Sequence, residues 1–547
     1  MNKRPSQIGH ILDQIIAAGL VVTLIFAALA HGAVEPWSVA VCSWLIIALI
    51  ALWAIKMIID RRFAFQAPAT ALPLIALLAF GLAQSVALTG PAGERRGLSL
   101  DVEATRRVTL LLGLWLAAFV IAANFFTDRK RLKTLAWFLT CYGLAMAVFA
   151  LVQHFAWNGL FYWVRPMGEL TSPFGSFINH NLFAGHMELL AFIPAGMALA
   201  GGVRGPARLF FVFASVMMSL SIVLSLSRGG TISLGAGMIF LAMMSGVVRK
   251  REESFMSLQR CPERMKTPLG THRFQRASAE RTHFDEGSSS VSQHAGSDAY
   301  PGFSDPGFSD PGFSDPGFSD PGLSDEDYQP PEPRRSDALR FTLRSAAVIA
   351  AMAGVIALGL LWLGPEPVIN RATQGQLTSA DPRAQTFFTS RGWIWQDTWT
   401  MIRANPVLGV GLGAYETAYP IYTVTDGAQK VSEAHNDYLQ ILADGGIIGA
   451  LLALWFLWLI FRAIFSGVRA RDRLLGSLAL GGGAAIVAML VHSFFDFNLQ
   501  IPSNALMFLH SAVASNIGAV SQVSMETAVT GVELEKPMMK ANAASLT

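Results

Sequence analysis

Long apolar runs constrain this chain more than any other feature. A helix needs about 20 apolar residues to cross the hydrocarbon of a bilayer. There, only helices and closed barrels satisfy their own backbone polar groups. The sequence offers about twelve such runs: 11–30, 37–59, 68–88, 107–127, 132–156, 182–202, 207–227, 229–248, 341–363, 446–466, 474–495 and 502–520. Only "LSRGG" separates the seventh from the eighth. Charged residues make up 14% of the 547, and hydrophobic ones 52%, whereas a soluble chain is about 25% charged. The predicted fold class is an all-α integral membrane protein. A net charge of +3 implies no basic surface for nucleic acid. Cys42 and Cys141 sit in apolar runs and Cys261 in a polar stretch, so neither a disulfide framework nor a CxxC metal site is predicted.

Lys and Arg in the connecting segments set the orientation. With the N-terminus inside, the inside segments hold Lys3 and Arg4, Lys56 with Arg61 and Arg62, "DRKRLK" at 128–133, Arg204 and Arg208, "RKR" at 249–251, and Arg462 to Arg473. The outside segments "HGAVEP" at 31–36 and "DFNLQIP" at 496–502 have none, and only the loop with Arg95, Arg96, Arg106 and Arg107 runs the other way. Both termini are therefore predicted cytoplasmic, with an uncleaved first helix. The expected organisation is eight spans over 1–248, a cytoplasmic linker over 249–340, a ninth span at 341–363, a large external loop with short helices over 364–445, three spans over 446–520 and a cytoplasmic tail over 521–547. The linker holds "PGFSDPGFSDPGFSDPGFSDPGLSD" at 301–325. That repeat buries too little apolar surface to offset chain entropy and is predicted disordered.

Polar residues gather where spans meet the outside. In "LSLSRGGTISL", 224–234, Arg228 stands between two apolar runs beside Gly229 and Gly230. Such an arginine either snorkels or faces a polar cavity, and its planar fork suits a phosphate. In "TSRGWIWQDTWTMIRANP", 389–406, Ser390 is a candidate N-cap for a helix beginning at Arg391 and stopped by Asn405-Pro406. Trp395, Trp399 and Ile402 would share its interfacial face. A cation opposing the dipole at that start suggests an anionic partner for Arg391, and an ion pair with a neighbouring carboxylate is an equal alternative.

In "SEAHNDYLQILADGGIIG", 432–449, Asn436 or Asp437 can cap a short helix that Gly445-Gly446 ends, or can belong to a site. As a histidine, His435 can take a proton from a hydroxyl or, once protonated, hold a phosphate. Asp426, Glu433, His435 and Asp437 lack the fixed spacing of a zinc or calcium site, and no metal is predicted. His492 and Asp496 lie one helical turn apart, either bonded to each other or bordering one cavity. In "SPFGSFINHNLFAGHMELL", 172–190, Asn179, His180, Asn181 and His186 either line a cavity or join helices. "GVGLGAY", 409–415, lacks the GK[ST] of a nucleotide loop and reads as a close-packed turn.

Taken in order, "GSFINHNLFAG", "SRGG", "RGWIWQDTWTMIRANPVLGVGLGAYETAYPIY", "EAHNDYLQILADGGIIG" and "HSFFDFNLQIPSNALMF" resemble the O-antigen ligase and polymerase family of bacterial membrane glycosyltransferases. The resemblance covers Gly175 to Gly230 and Arg391 to Phe508 most closely. It implies a multi-pass protein of the bacterial inner membrane with a periplasmic active site. A glycan would pass there from undecaprenyl diphosphate to a hydroxyl of lipid A-core or another polysaccharide acceptor. It also implies catalytic roles for Arg228, Arg391 and His435. Asn436, Asp437, His492, Asp496 and Asn181 are the further candidates for binding diphosphate or acceptor, and no cofactor is expected. Polymerase and protein O-glycosylating activities are alternatives within the family. A bicarbonate-type transporter, or an envelope-assembly scaffold recruiting through the repeat linker, is the alternative outside it.

Overall fold

The long helices begin where the sequence supplies a cap. Asp101 accepts from the Ala104 amide at 2.9 Å, Asn179 from Asn181 at 2.8 Å, and Asp472 from Leu474 at 2.7 Å. Each satisfies a donor that the first helical turn would leave unpaired. Pro36 and Pro206 open two others, where the absent amide hydrogen costs nothing. The computed structural model describes residues 7–61, 65–89, 95–167, 172–264, 346, 350, 353–354, 387–423, 430–470 and 472–513. The chain divides into two units, Met1–Arg251 with Ala338–Thr547, and Glu252–Asp337; the candidate membrane spans belong to the first.

In chain order the helices are α1 (Gln7–Leu29), α2 (Pro36–Asp60), α3 (Ala71–Gln84), α4 (Val102–Phe125), α5 (Arg129–Phe155), α6 (His180–Leu199), α7 (Pro206–Leu224), α8 (Arg228–Arg264), α9 (Phe387–Ala404), α10 (Tyr415–Tyr422), α11 (Asp437–Arg469) and α12 (Arg473–His492). Residues 502–513 form α13. Two three-residue strands, β1 (Ala87–Thr89) and β2 (Arg95–Gly97), pair antiparallel between α3 and α4. The architecture is all-α, and nine helices among the described residues are long and apolar enough to cross a membrane.

Every residue of α6 from Leu182 to Leu199 is buried, and apolarity all round is what a central helix requires. α12 lies closest to it. A Cβ on Gly196 would sit 2.4 Å from the Gly481 backbone nitrogen, and one on Gly481 would sit 2.5 Å from the Phe192 carbonyl. Small residues of this kind let membrane helices approach to backbone contact. α1, α2, α8 and α11 instead present Ile, Leu, Met and Trp side chains outward, as a lipid-facing surface does.

Three expectations change. The run 68–88 yields α3, only 14 residues long. At 1.5 Å per residue that is about 21 Å, short of the roughly 30 Å hydrocarbon. At its end the Gln84 side-chain amide donates to the Leu408 carbonyl at 2.7 Å and accepts from the Leu412 amide at 3.0 Å. α8 continues through Arg264, so the linker begins as helix. α9 starts at Phe387, which puts Arg391 in its second turn and removes the unfavourable dipole position. The remainder of 265–340 (the PGFSD repeat included), most of 341–363, all of 364–386, Asp426 and the tail lie outside the described residues.

Residues 387–423 and 430–445 are folded. α9, α10 and the start of α11 share a small core of Met401, Val410, Tyr415, Ala418, Tyr419 and Ala443. "GVGLGAY" is a close-packed turn: the Val410 amide bonds to the Ala443 carbonyl at 2.8 Å and the Gly411 amide to the Asp444 carbonyl at 3.0 Å. Gly411 has φ +115°, and a Cβ there would lie 2.0 Å from Ser99 Oγ. Gly446 kinks α11 at φ +59°, with the Val407 carbonyl filling the Cβ position. Glycine alone tolerates both conditions. A polar stretch of helix therefore meets the apolar run after Gly446 without a loop between them.

Candidate active site

The C-terminal ends of α5, α7 and α12 and the N-terminal ends of α6, α8 and α11 meet on one side of the bundle. The turn leaving α12 carries Asp496, 1% exposed, as the hub. Its Oδ1 accepts from His435 Nδ1 at 3.2 Å and from the Phe497 amide at 3.0 Å. Its Oδ2 accepts from Asn181 Nδ2 at 2.8 Å and from the Arg391 guanidinium at 3.3 Å. One carboxylate thus ties together α6, α9, the approach to α11 and its own turn. Burial pushes the Asp496 carboxyl up. The hydrogen bond from His435 and the charge of Arg391 outweigh that and hold it below the usual carboxylate range. Burial pulls the Arg391 guanidinium down against the opposing pull of Asp496, and it keeps its charge.

Local sequence explains how His435 is held. Its φ is +50°, which is uncommon outside glycine and is imposed from both sides. Before it, the Ala434 amide donates to Gln440 Oε1 at 2.8 Å, and the Ala434 carbonyl accepts from the Trp395 indole at 3.0 Å. After it, Asn436 Oδ1 caps α11 by accepting from the Tyr438 and Leu439 amides at 3.0 and 3.1 Å. Asn436 Nδ2 donates to the Phe494 carbonyl at 3.1 Å, and Asp437 Oδ2 accepts from the Leu499 amide at 3.2 Å. Asn436 and Asp437 therefore bind the His435 turn to the Asp496 turn through backbone groups. The Phe497 ring packs edge-on to the imidazole at 5.0 Å. With Nδ1 on an ionised carboxylate, the imidazole presents Nε2 as its other nitrogen. Trp395 and Arg391, one helical turn apart on α9, fix the loop and the cation together.

A cavity of about 170 Å³ opens beside Asp496, lined by Arg228, Arg391, Asn181, His180 and His492 among others. It is smaller than the roughly 300 Å³ at which drug-sized ligand pockets begin. That volume suits a charged headgroup, not a whole lipid-linked glycan. Arg228 is the first residue of α8. The Ser227 hydroxyl caps that helix by accepting from the Gly230 amide at 3.0 Å, and Leu226 takes φ +59° to make the turn. A Cβ on Gly229 would lie 2.9 Å from His492 Cδ2, and one on Gly230 would lie 2.7 Å from Ala184. The glycines beside Arg228 thus make room for His492 and α6.

Arg228, Arg391, Asn181, His492 and Asp496 share this cavity, and His435 joins it through Asp496. His492 and Asp496 both border it, but the His492 ring reaches Glu188 with one of its nitrogens. Its Nδ1 meets Glu188 Oε1 at 2.9 Å inside the bundle. In sequence Glu188 stands out only as a scattered ionisable group in a span. His186, by contrast, joins helices, bonding Tyr142 at 3.0 Å and Asn504 at 3.1 Å. His180 lines the cavity while its Nδ1 meets Ser172 Oγ at 2.6 Å. Among the described residues, no three His, Cys, Asp or Glu side chains converge as a metal-ligand set. Another ionisable cluster within the spans, at the opposite end of the bundle, pairs internally: Lys56 with Asp60 at 2.8 Å and Asp13 at 3.3 Å, and Arg131 with Asp13 at 2.9 Å.

A comparison with curated proteins finds no match. The model of the O-Antigen ligase family matches residues 334–454, a segment that holds Arg391 and His435. Residues 334–454 of this multi-pass membrane protein are thus similar to the O-Antigen ligase family.

Proposed function

We propose that the chain transfers a glycan from a polyprenyl diphosphate of the undecaprenyl type to an acceptor hydroxyl at the periplasmic face of the inner membrane. The observation that supports this most is the convergence of Arg228 and Arg391, from two distant elements, on one cavity beside the Asp496–His435 pair. The donor's reacting carbon is bonded to a diphosphate that stays at the membrane surface. The acceptor oxygen attacks that carbon from the face opposite the diphosphate, forming the new glycosidic bond and inverting the anomeric centre. The carbon–oxygen bond to the diphosphate breaks, and the diphosphate leaves with the electron pair. Arg228, which is exposed, and Arg391, which is largely buried, face the charge that develops. His435 Nε2 takes the proton of the acceptor hydroxyl, and Asp496 stabilises the imidazolium. Asn181 holds the second carboxylate oxygen, leaving the first to His435. The two guanidinium groups do what a divalent ion does for diphosphates in other enzymes, so transfer is independent of added metal. The acceptor class is lipid A-core or another surface polysaccharide.

The transporter reading needs ionisable groups free to relay charge within the spans. The Asp13–Lys56–Arg131 cluster is internally paired at the end away from the site, and Glu188 is paired with His492, which favours the transferase. The test uses purified protein in liposomes with a purified lipid-linked donor, in chelator. Glycan transfer with inverted anomeric configuration is the expected result. Uptake of labelled bicarbonate without transfer, or transfer that returns only with magnesium or manganese, would sink the corresponding part of the scheme.

A further inference from the structure

A second cavity of about 280 Å³ lies at the same end of the bundle, between the C-terminus of α5 and the loop that leads into α6. His154 and the exposed Trp157 form one wall, and Pro173 and Phe174 the other. Gln153 and Gly175 close its floor. With its amide oriented to satisfy both neighbours, Gln153 donates to the Gly175 carbonyl at 2.9 Å and accepts from the Tyr162 amide at 2.9 Å. The segment above is held equally firmly. Tyr162 and Trp163 take φ +54° and +62°, Trp163 donates to the Ala156 carbonyl at 2.9 Å, and Tyr162 donates to the Leu29 carbonyl at 2.7 Å. Two consecutive aromatic residues in the left-handed region mark a shape fixed by its surroundings. The His154 ring packs against Phe174 at 5.3 Å.

The two cavities share a wall. Residues 173–175 line the second, and His180 and Asn181 line the one with the arginines. Ser172, adjacent to Pro173, pairs with Asn179, accepts from the His180 amide at 2.9 Å, and meets His180 Nδ1 through its hydroxyl at 2.6 Å. One strand spacing and one residue therefore separate the rims, roughly 10 Å. The volume is near the lower end of the roughly 300–1,000 Å³ usual for small-molecule pockets. It fits one ring, not a long chain. A flat indole beside an imidazole offers an apolar face and a hydrogen-bonding edge, which is what a sugar ring presents in return.

We propose that this second cavity is a sugar-binding subsite, holding a ring of the glycan while its reacting end lies at the arginine cavity. This rests on the glycan-transfer reading above. Trp157 stacks on the ring and His154 bonds to its hydroxyls. The glycan belongs to either the donor or the acceptor, and the kinetics separate the two. Trp157→Ala and His154→Gln are compared with wild type in the liposome assay, titrating donor and acceptor in turn. The Michaelis constant of one of the two substrates should rise about tenfold in Trp157→Ala with kcat unchanged, the size of a lost aromatic contact. Cutting that substrate down to a single sugar should erase the difference between variant and wild type. Unchanged constants for both substrates in both variants would overturn the subsite.

Binding of a free oligosaccharide repeat unit, followed by saturation-transfer NMR, gives a readout that needs no turnover. It should weaken in Trp157→Ala and persist in Arg228→Ala. If wild type transferred nothing, the transferase reading would fail while Trp157-dependent binding still upheld the subsite. Binding indifferent to Trp157 would overturn the subsite whatever the transfer result.

Discussion

Asp496→Asn keeps the shape of the hub and removes its charge. The asparagine oxygen can replace only one of the two carboxylate oxygens. Facing His435 and the Phe497 amide, it leaves the amide nitrogen against Asn181 Nδ2 and Arg391, where every group is a donor. Arg391, with 11% side-chain exposure, then loses the charge of Asp496. Removing one partner of a buried pair costs about 3–5 kcal/mol, and the residual exposure and the 3.3 Å contact place this case near 3 kcal/mol. His435 also loses the anion that supports its protonated form. General-base catalysis contributes about 10²–10⁴ in rate, so kcat should fall by that order with little change in acceptor affinity. The assay is initial-rate transfer from a lipid-linked donor, with thermal unfolding in detergent recorded alongside. Linkage fixes the sign of a further effect. A carboxyl held below its usual value contributes stability above the unfolded pKa of about 3.9 and loses it as pH falls through the folded value. The variant should therefore show a flatter acid limb of stability against pH. Wild-type kcat in Asp496→Asn would refute the role given to the hub.

Three further substitutions test separate parts of the account. Arg391→Lys keeps a charge but not the fork that can face Asp496 and a diphosphate together, and transfer should drop about 10–100-fold without unfolding. Gly229→Ala puts a methyl 2.9 Å from His492 Cδ2. It should slow transfer about tenfold, since a small misplacement at a site can cost up to about 10²; unchanged kinetics would mean that the His492 side of the cavity is not used. Asp101→Ala removes the α4 cap and the 2.8 Å bond from Thr417 that ties α10 to it. It should cost about 1–2 kcal/mol in unfolding experiments. Because the Ala104 amide and Thr417 hold the Asp101 carboxyl below its usual value, the loss should be full at neutral pH and fade as pH falls through that depressed value.

The spans are legible in the sequence because a bilayer demands uniform apolarity, and α6, α7 and α12 fall within a few residues of their predicted runs. The end of α3 is not, because its last turn bonds to a loop more than 300 residues later, through Gln84 and Leu408. No local pattern carries that. Arg228, Arg391 and His435 stand out as polar residues at the mouths of apolar runs, and the fold brings the two arginines to one cavity. Asp496 is visible only as a neighbour of His492. Its importance comes from accepting hydrogen bonds across separations of 61, 105 and 315 residues, which is a property of the tertiary arrangement. The capping capacity of Asn436 can be read from residue type. That its amide also grips the Phe494 carbonyl cannot. Glu188 gives no local signal that it meets His492, because in sequence it is one acid within an apolar helix. The second cavity is hidden for a similar reason: nothing local in "FAWNGLFYWVRP" shows the Gln153 bridge that shapes it.

The proposed transfer turns on two arginines from separate elements facing one diphosphate. Its most direct test is the affinity of sugar-free undecaprenyl diphosphate, measured as product inhibition or by titration, for wild type, Arg228→Ala, Arg391→Ala and the double variant. Each single change should weaken binding about 10–100-fold, as expected for a charge-assisted contact of about 1.5–3 kcal/mol. The double change should cost at least as much as the larger single change. Equal affinity in all four proteins would contradict the account.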